Sequence, residues 1–204
     1  MSGQLNPSPY SIQTIVTGHY RENSYLVLDK SKGISLLIDP GGDLEKIRLA
    51  IDESGLKLSA ILLTHAHFDH VGAVHLLMEH FQVPCWANAK EKKHLFRAPL
   101  YAFRFIQEKV EVPKLVSFFE SSSLLPSLEI PMRALDVPGH TSGSVCFYGP
   151  GFAFTGDTLF YQKVGPTIYP ESLPLELNAS IESILDSLPG DTILYPGHGK
   201  PWKV

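Results

Sequence analysis

The chain has 204 residues, a formal net charge of −4 and a hydrophobic content of 44%, which predicts one soluble globular domain over residues 1–204 with a sizeable core. That balance excludes a basic field for nucleic acid and a polybasic membrane patch, and no apolar run approaches the roughly 20 residues of a membrane span. The two cysteines, Cys85 and Cys146, form no CxxC pair and residues 1–9 carry no signal-like apolar stretch, which points to the cytoplasm and away from a disulfide framework.

Residues 11–16, 24–28 and 34–38 read as strands, divided by Gly18-His19 and by Asp29-Lys30-Ser31-Lys32-Gly33. Connections this short predict antiparallel pairing. Asp39-Pro40-Gly41-Gly42 is a breaker, and Asp43 is placed to cap a helix with Leu44, Ile47 and Ile51 on one face and Gly55 as its stop. Residues 59–63 are an apolar run suited to a buried strand, and Val71, Val74, Leu77, Met78 and Phe81 then recur at helical spacing. Residues 83–87 predict another strand, and Asn88 with Glu91 resembles a capping box for a short helix through Leu95. Residues 96–110 read as an amphipathic helix packed on the core, with a substrate-covering flap as the alternative. Residues 115–119, 128–130 and 132–137 predict strands between Ser- and Pro-rich turns.

Between the strand at 59–63 and the helix after it lies Thr64-His65-Ala66-His67-Phe68-Asp69-His70. His65 and His67, two apart in extended backbone, point to one side, while Asp69 and His70 sit where the helix begins. Imidazoles and carboxylates are ligands for zinc or iron, so one turn supplies parts of two metal shells. The last third repeats one idea. A short apolar strand ends in a Gly-flanked polar residue at Pro138-Gly139-His140, at Thr155-Gly156-Asp157 and at Pro196-Gly197-His198. Glycine lets the backbone turn sharply and approach closely there. Between the last two, Ile181, Ile184, Leu185 and Leu188 mark a helix that Pro189-Gly190 ends. Strands in two batches, each with its own helices, predict two sheets packed together with helices outside.

Gathered together, the candidate ligands are His65, His67, Asp69, His70, His140, Asp157 and His198. Asp157 has two oxygens and could bridge two ions, leaving three ligands for each half-site and an open position for water. A water held between divalent cations loses its proton near neutral pH. His19, His75, His80 and His94 have no ligand-like spacing and read as surface or packing residues. Cys85 and Cys146, flanked by apolar residues, read as core side chains.

His65-Ala66-His67-Phe68-Asp69-His70, with Pro138-Gly139-His140-Thr141, Thr155-Gly156-Asp157-Thr158-Leu159-Phe160 and Pro196-Gly197-His198-Gly199, resembles the metallo-beta-lactamase-fold hydrolases, and among them the glyoxalase II (hydroxyacylglutathione hydrolase) branch. The resemblance spans nearly the whole chain. It implies an α/β fold, a four-layer αβ/βα sandwich with metals at one edge of the paired sheets. It further implies that His65, His67 and His140 hold a first metal, that Asp69, His70 and His198 hold a second, and that Asp157 bridges.

Three departures from that branch stand out. The chain stops six residues after His198, where glyoxalase II continues into a helical domain. A glycine followed by arginine or lysine is replaced by Gly165-Pro166, and the stretch after the last histidine reads Gly199-Lys200-Pro201-Trp202. Common zinc beta-lactamases carry Cys where this chain has Asp157. The resemblance therefore implies a thioester hydrolase with two divalent ions, zinc first and iron or manganese as alternatives, acting on small S-acyl thiol conjugates by attack of metal-bound hydroxide. Asp69 would be both ligand and catalytic residue. Two other readings stay open. One is a mononuclear iron oxidoreductase resembling the persulfide dioxygenases, with iron held by His65, His140 and Asp157. The other is a non-catalytic metal-binding homologue.

Overall fold

The computed structural model describes residues 9–113, 116–120 and 128–204. The first sheet contains β1 (Ser11–Thr17), β2 (Glu22–Asp29), β3 (Ile34–Ile38), β4 (Lys57–Leu62), β5 (Cys85–Asn88) and β6 (Val116–Phe119), side by side in chain order. The short turns make β1, β2 and β3 antiparallel, as expected, while β4, β5 and β6 continue the sheet in parallel. The second sheet is built from β7 (Arg133–Asp136), β8 (Val145–Gly149) and β9 (Phe152–Gly156). A small hairpin of β10 (Leu159–Phe160) and β11 (Lys163–Val164) intervenes, and β12 (Ile193–Pro196) and β13 (Trp202–Lys203) complete the sheet in the order β13-β12-β9-β8-β7.

Period-two alternation sorts the strand residues between layers. Tyr25, Val27, Leu36, Ile38, Ala60 and Leu62 face the second sheet and pack against Val145, Phe147, Phe152 and Phe154. Their neighbours Leu26, Leu37 and Ile61 face the other way, against Ile47 and Ile51 of α1 (Leu44–Ser54), Leu77 and Leu95. On the far side of the second sheet, Cys146, Ala153 and Leu194 meet Ile184 of the last helix. The result is helix, sheet, sheet, helix. Phe147, Phe152 and Phe154 are each at most 1% exposed, and full burial of such a side chain contributes about 1.5–3 kcal/mol. No helix among the described residues is long and apolar enough to cross a membrane.

Several local expectations are corrected. Asp43 does not cap α1. Its φ is 46° and it makes no side-chain cap bond, because its Oδ2 accepts from the Gly18 amide at 3.3 Å. The helix expected after His70 is two pieces, α2 (Phe68–Val71) and α3 (Val74–Phe81). The break falls where the Ala73 amide turns to the Pro40 carbonyl at 3.0 Å. Asn88 does cap, accepting from Lys90 N at 2.9 Å, but Glu91 turns inward instead of closing a capping box. A 3-10 turn (Ala89–Glu91) then runs directly into α4 (Lys92–Ile106), merging two expected segments. Residues 128–130 form no strand, and β8 was not anticipated. Residue 115 lies outside the described residues. The remaining helix, α5 (Pro174–Ser187), covers the second sheet.

Candidate metal centre

The seven candidate ligands follow strand ends: His65, His67, Asp69 and His70 after β4, His140 after β7, Asp157 after β9 and His198 after β12. The fold therefore collects them at one edge of the two sheets. Among the described residues, three groups of possible ligand atoms each lie within 4.8 Å: His65, His67 and His140; Asp69, His70 and His198; and Asp39, His65 and His70, which overlaps the other two. Asp157 lies between the first two, 3.7 Å from His140 Nε2 and 3.4 Å from both His70 Nε2 and His198 Nε2.

Each histidine has one ring nitrogen engaged away from the centre. His65 Nδ1 meets Thr64 Oγ1 at 3.1 Å, and His70 Nδ1 meets Asp39 Oδ2 at 3.1 Å. His67 Nε2 meets Glu171 Oε1 at 3.0 Å, and His140 Nδ1 the Pro166 carbonyl at 2.7 Å. His198 Nδ1 meets the Tyr20 carbonyl at 3.2 Å. Such outer contacts set the tautomer and leave the opposite nitrogen facing inward. Two of these inward nitrogens, His65 Nε2 and His70 Nε2, are buried without any hydrogen-bond partner, as is Asp157 Oδ1. Buried polar atoms are ordinarily satisfied, so these three orphans among the candidate ligands fit cations held at this edge.

The electrostatics match that geometry. Burial, aided by His70, holds His65 well below its usual range, and burial lowers His140 to about 4. Burial would also lower His70 and His198, but Asp157 with Asp39 and Asp69 raises them, His198 to about 10. Burial pushes Asp157 up, and His70 and His198 more than offset it, keeping the carboxyl well below the ordinary range.

The backbone that carries these side chains is tied down. The Asn23 amide donates to the Gly197 carbonyl at 2.7 Å, and its Nδ2 to the carbonyls of Pro196 and Gly199, both at 2.9 Å. A Cβ at Gly197 would come within 2.0 Å of Asp157 Oδ1, so glycine is required for the two loops to meet. Glu91, fully buried, accepts from Ala66 N at 2.8 Å, Gly143 N at 2.9 Å and Thr141 Oγ1 at 2.8 Å. One carboxylate thus joins the loop of His65 and His67 to that of His140.

Four residues of the centre were not read from sequence as part of it: Asp39, Glu91, Tyr169 and Glu171. Asp39 had a signal, since it too ends a strand before Pro-Gly-Gly. Glu171 had none. Pro166, noted only as a missing positive charge, lends its carbonyl to His140. The other histidines stay outside: His19 pairs with Glu108 at 2.8 Å, His75 lies near Glu79 and Glu111, His80 packs on Phe81, and His94 meets Ser142 at 3.4 Å. Cys85 and Cys146 are free and buried, as expected.

The profile of the Metallo-beta-lactamase superfamily matches residues 17–198. The chain belongs to the metallo-beta-lactamase superfamily. Among its relatives, hydroxyacylglutathione hydrolase GloC of Haemophilus influenzae is 35% identical over 193 residues, which cover 93% of this chain and 91% of that protein. The crystal structure of TTHA1623 in a di-iron-bound form matches with a TM-score of 0.84 and 37% identity over 94% of both chains. BLEG-1, a B3 metallo-beta-lactamase, matches with a TM-score of 0.83 and 30% identity, covering 95% of this chain and 94% of that one. Metallo-beta-lactamase fold alone therefore does not separate lactam from thioester substrates; the groups around the centre must do so.

Proposed function

We propose that this chain is a binuclear metal-dependent thioesterase of the glyoxalase II kind, hydrolysing small S-acyl thiol conjugates in the cytoplasm. In this reading His65, His67 and His140 would hold one divalent ion and Asp69, His70 and His198 a second, with the Asp157 carboxylate available to both groups. The observation that carries it is the set of five histidines, each engaged on one nitrogen by an outer partner, around a carboxylate shared by both groups. That donor set suits zinc, and iron or manganese as competitors. Divalent ions bound here supply a water of lowered pKa and an acceptor for charge developing on a carbonyl oxygen.

The chain's own residues do the rest. Asp39 and Glu171 hold His70 and His67 in register. Asp69, 3.5 Å from His198 Nε2 and in the wall of the adjoining pocket, orients the attacking water. A thiol of pKa about 8.5 departs as thiolate, so no side chain has to donate a proton to it. The likeness to hydroxyacylglutathione hydrolase GloC supports the thioester, and that to a di-iron-bound structure supports two ions.

The test is metal analysis of protein purified without added zinc, joined to turnover of a thioester panel. Two ions per chain and thioester hydrolysis are expected. His67→Ala and Asp157→Ala should each reduce turnover by about 100-fold or more while circular dichroism stays unchanged. One iron per chain with oxygen uptake on a persulfide, or turnover of a beta-lactam without any thioester turnover, would overturn the reading.

A further inference from the structure

Beside the centre lies a pocket that opens to solvent. Aromatic rings make most of its wall: Tyr20, Phe68, Tyr101, Phe105 and Tyr169. Tyr20 meets Phe68 edge to face at 5.7 Å, Phe68 stacks on Phe105 at 6.1 Å, and Phe105 stacks on Tyr101 at 6.2 Å. Across from this row, Tyr169 stands edge to face on His67 at 5.0 Å and on His140 at 5.9 Å. His67 and Asp69 complete the wall toward the centre, so the pocket begins where a reacting carbonyl would sit.

The charge of the wall is one-sided. The lining contains the carboxylates of Asp69 and Glu171 and neither lysine nor arginine. Asp69 belongs to the proposed ligand set, which leaves Glu171, its side chain 4% exposed and bonded to His67, as the fixed negative charge. The Arg104 guanidinium lies 6.0 Å from the Phe105 ring centroid but does not line the pocket. A carboxylate entering this space would meet Glu171 in the wall and no lysine or arginine to pair with. Aromatic faces and edges instead favour an uncharged aromatic group.

Resting on the thioesterase reading, we propose that this pocket selects thioesters bearing an uncharged aromatic substituent next to the scissile bond, and disfavours the doubly carboxylated glutathione conjugates. The selecting residues are Tyr101 and Phe105 of α4 with Tyr169 opposite. Phe105 is 49% exposed, so its truncation leaves the core untouched.

Metal-loaded protein is assayed with S-phenylacetyl- and S-acetyl-N-acetylcysteamine for the acyl side. S-benzyl thioacetate probes the thiol side, and S-lactoylglutathione is the charged comparison. On at least one side the aromatic ester should be preferred over its small counterpart by about tenfold or more in kcat/KM, and S-lactoylglutathione should be the poorest substrate. Phe105→Ala should bring the aromatic preference close to unity, chiefly through KM, and Phe105→Arg should improve S-lactoylglutathione. Preference for S-lactoylglutathione by the native protein, or an aromatic preference unchanged in Phe105→Ala, would overturn the proposal. If no thioester is turned over, the hydrolase reading fails, and calorimetry with the non-hydrolysable thioether S-phenethyl-N-acetylcysteamine still judges the pocket. Tighter binding to native protein than to Phe105→Ala supports it; equal binding overturns it.

Discussion

Glu171 lies 104 positions along the chain from His67, yet the two side chains meet at 3.0 Å. With the carboxylate accepting from Nε2–H, the Nδ1 lone pair of His67 is left for the centre. Glu171→Ala removes that acceptor and frees the ring to change tautomer, so affinity for the first metal should fall by about 10–100-fold. Glu171→Gln keeps an acceptor oxygen and should retain most of it. Competition with a chromophoric chelator measures both, and equal affinities for native, Ala and Gln proteins would show that Glu171 does not orient His67. The histidines themselves were readable as candidates because metal ligation demands several donors at short spacing. Glu171 was not, since a lone acid in a loop looks like any solvated one. The thiols behave as their apolar neighbours implied: burial pushes Cys146 up to about 12 and raises Cys85 as well, leaving both unreactive.

The 3-10 turn leading into α4 shows what local pattern reading misses at the level of elements. Asn88 and Glu91 are spaced as a capping box, but the buried carboxylate of Glu91 serves three donors from two other loops. Oε2 takes Ala66 N while Oε1 takes Thr141 Oγ1 and Gly143 N, so both oxygens must be acceptors. Glu91→Gln puts an amide against one of these sets, and Glu91→Ala leaves donors unpaired at about 1–3 kcal/mol each. Both variants should lose about 2 kcal/mol or more of stability, read from urea midpoints. Native stability in Glu91→Gln would refute the clamp. α4 itself shows both expected characters. Leu95, Ala98 and Ala102 are buried in its inner stripe, while Tyr101 and Phe105 wall the pocket. Helical periodicity identifies the stripe but not what lies across from its edges.

For the molecule as a whole, the centre couples metal, protons and stability. His198 is raised from 6.5 to about 10 by Asp157 and Asp69 against the opposing effect of burial. A group that binds its proton more tightly when folded stabilises the fold fully below its unfolded pKa, and that contribution is lost as pH rises through its folded pKa. Chelated protein should therefore show a thermal midpoint that declines between pH 6.5 and about 10, the interval set by His198. Metal must displace the same protons, so loading should raise the midpoint most at the alkaline end of that interval and release protons into solution. The buried thiols act in the same direction with or without metal, so the loaded-minus-chelated difference isolates the centre. Scanning calorimetry across pH, with a proton-release titration, checks this. A chelated midpoint that is flat between pH 6.5 and 10 would contradict it.

The sequence by itself determined the two-batch sheet architecture and named the seven candidate ligands that the fold gathers at one edge. Strand alternation and donor spacing are local, and each can be read within a few residues. It also determined that glycines precede His140, Asp157 and His198, where close approach such as that of Gly197 to Asp157 would otherwise clash. Only the tertiary structure decided which acids support the ligands, because the partners of Glu91 and Glu171 come from strand ends far away along the chain. It also decided the character of the pocket, whose aromatic rings arrive from β1–β2 (Tyr20), α2 (Phe68), α4 (Tyr101 and Phe105) and the loop before α5 (Tyr169). No single stretch of chain contains that wall; it exists because the fold brings five separate side chains to the edge where the ligands already converge.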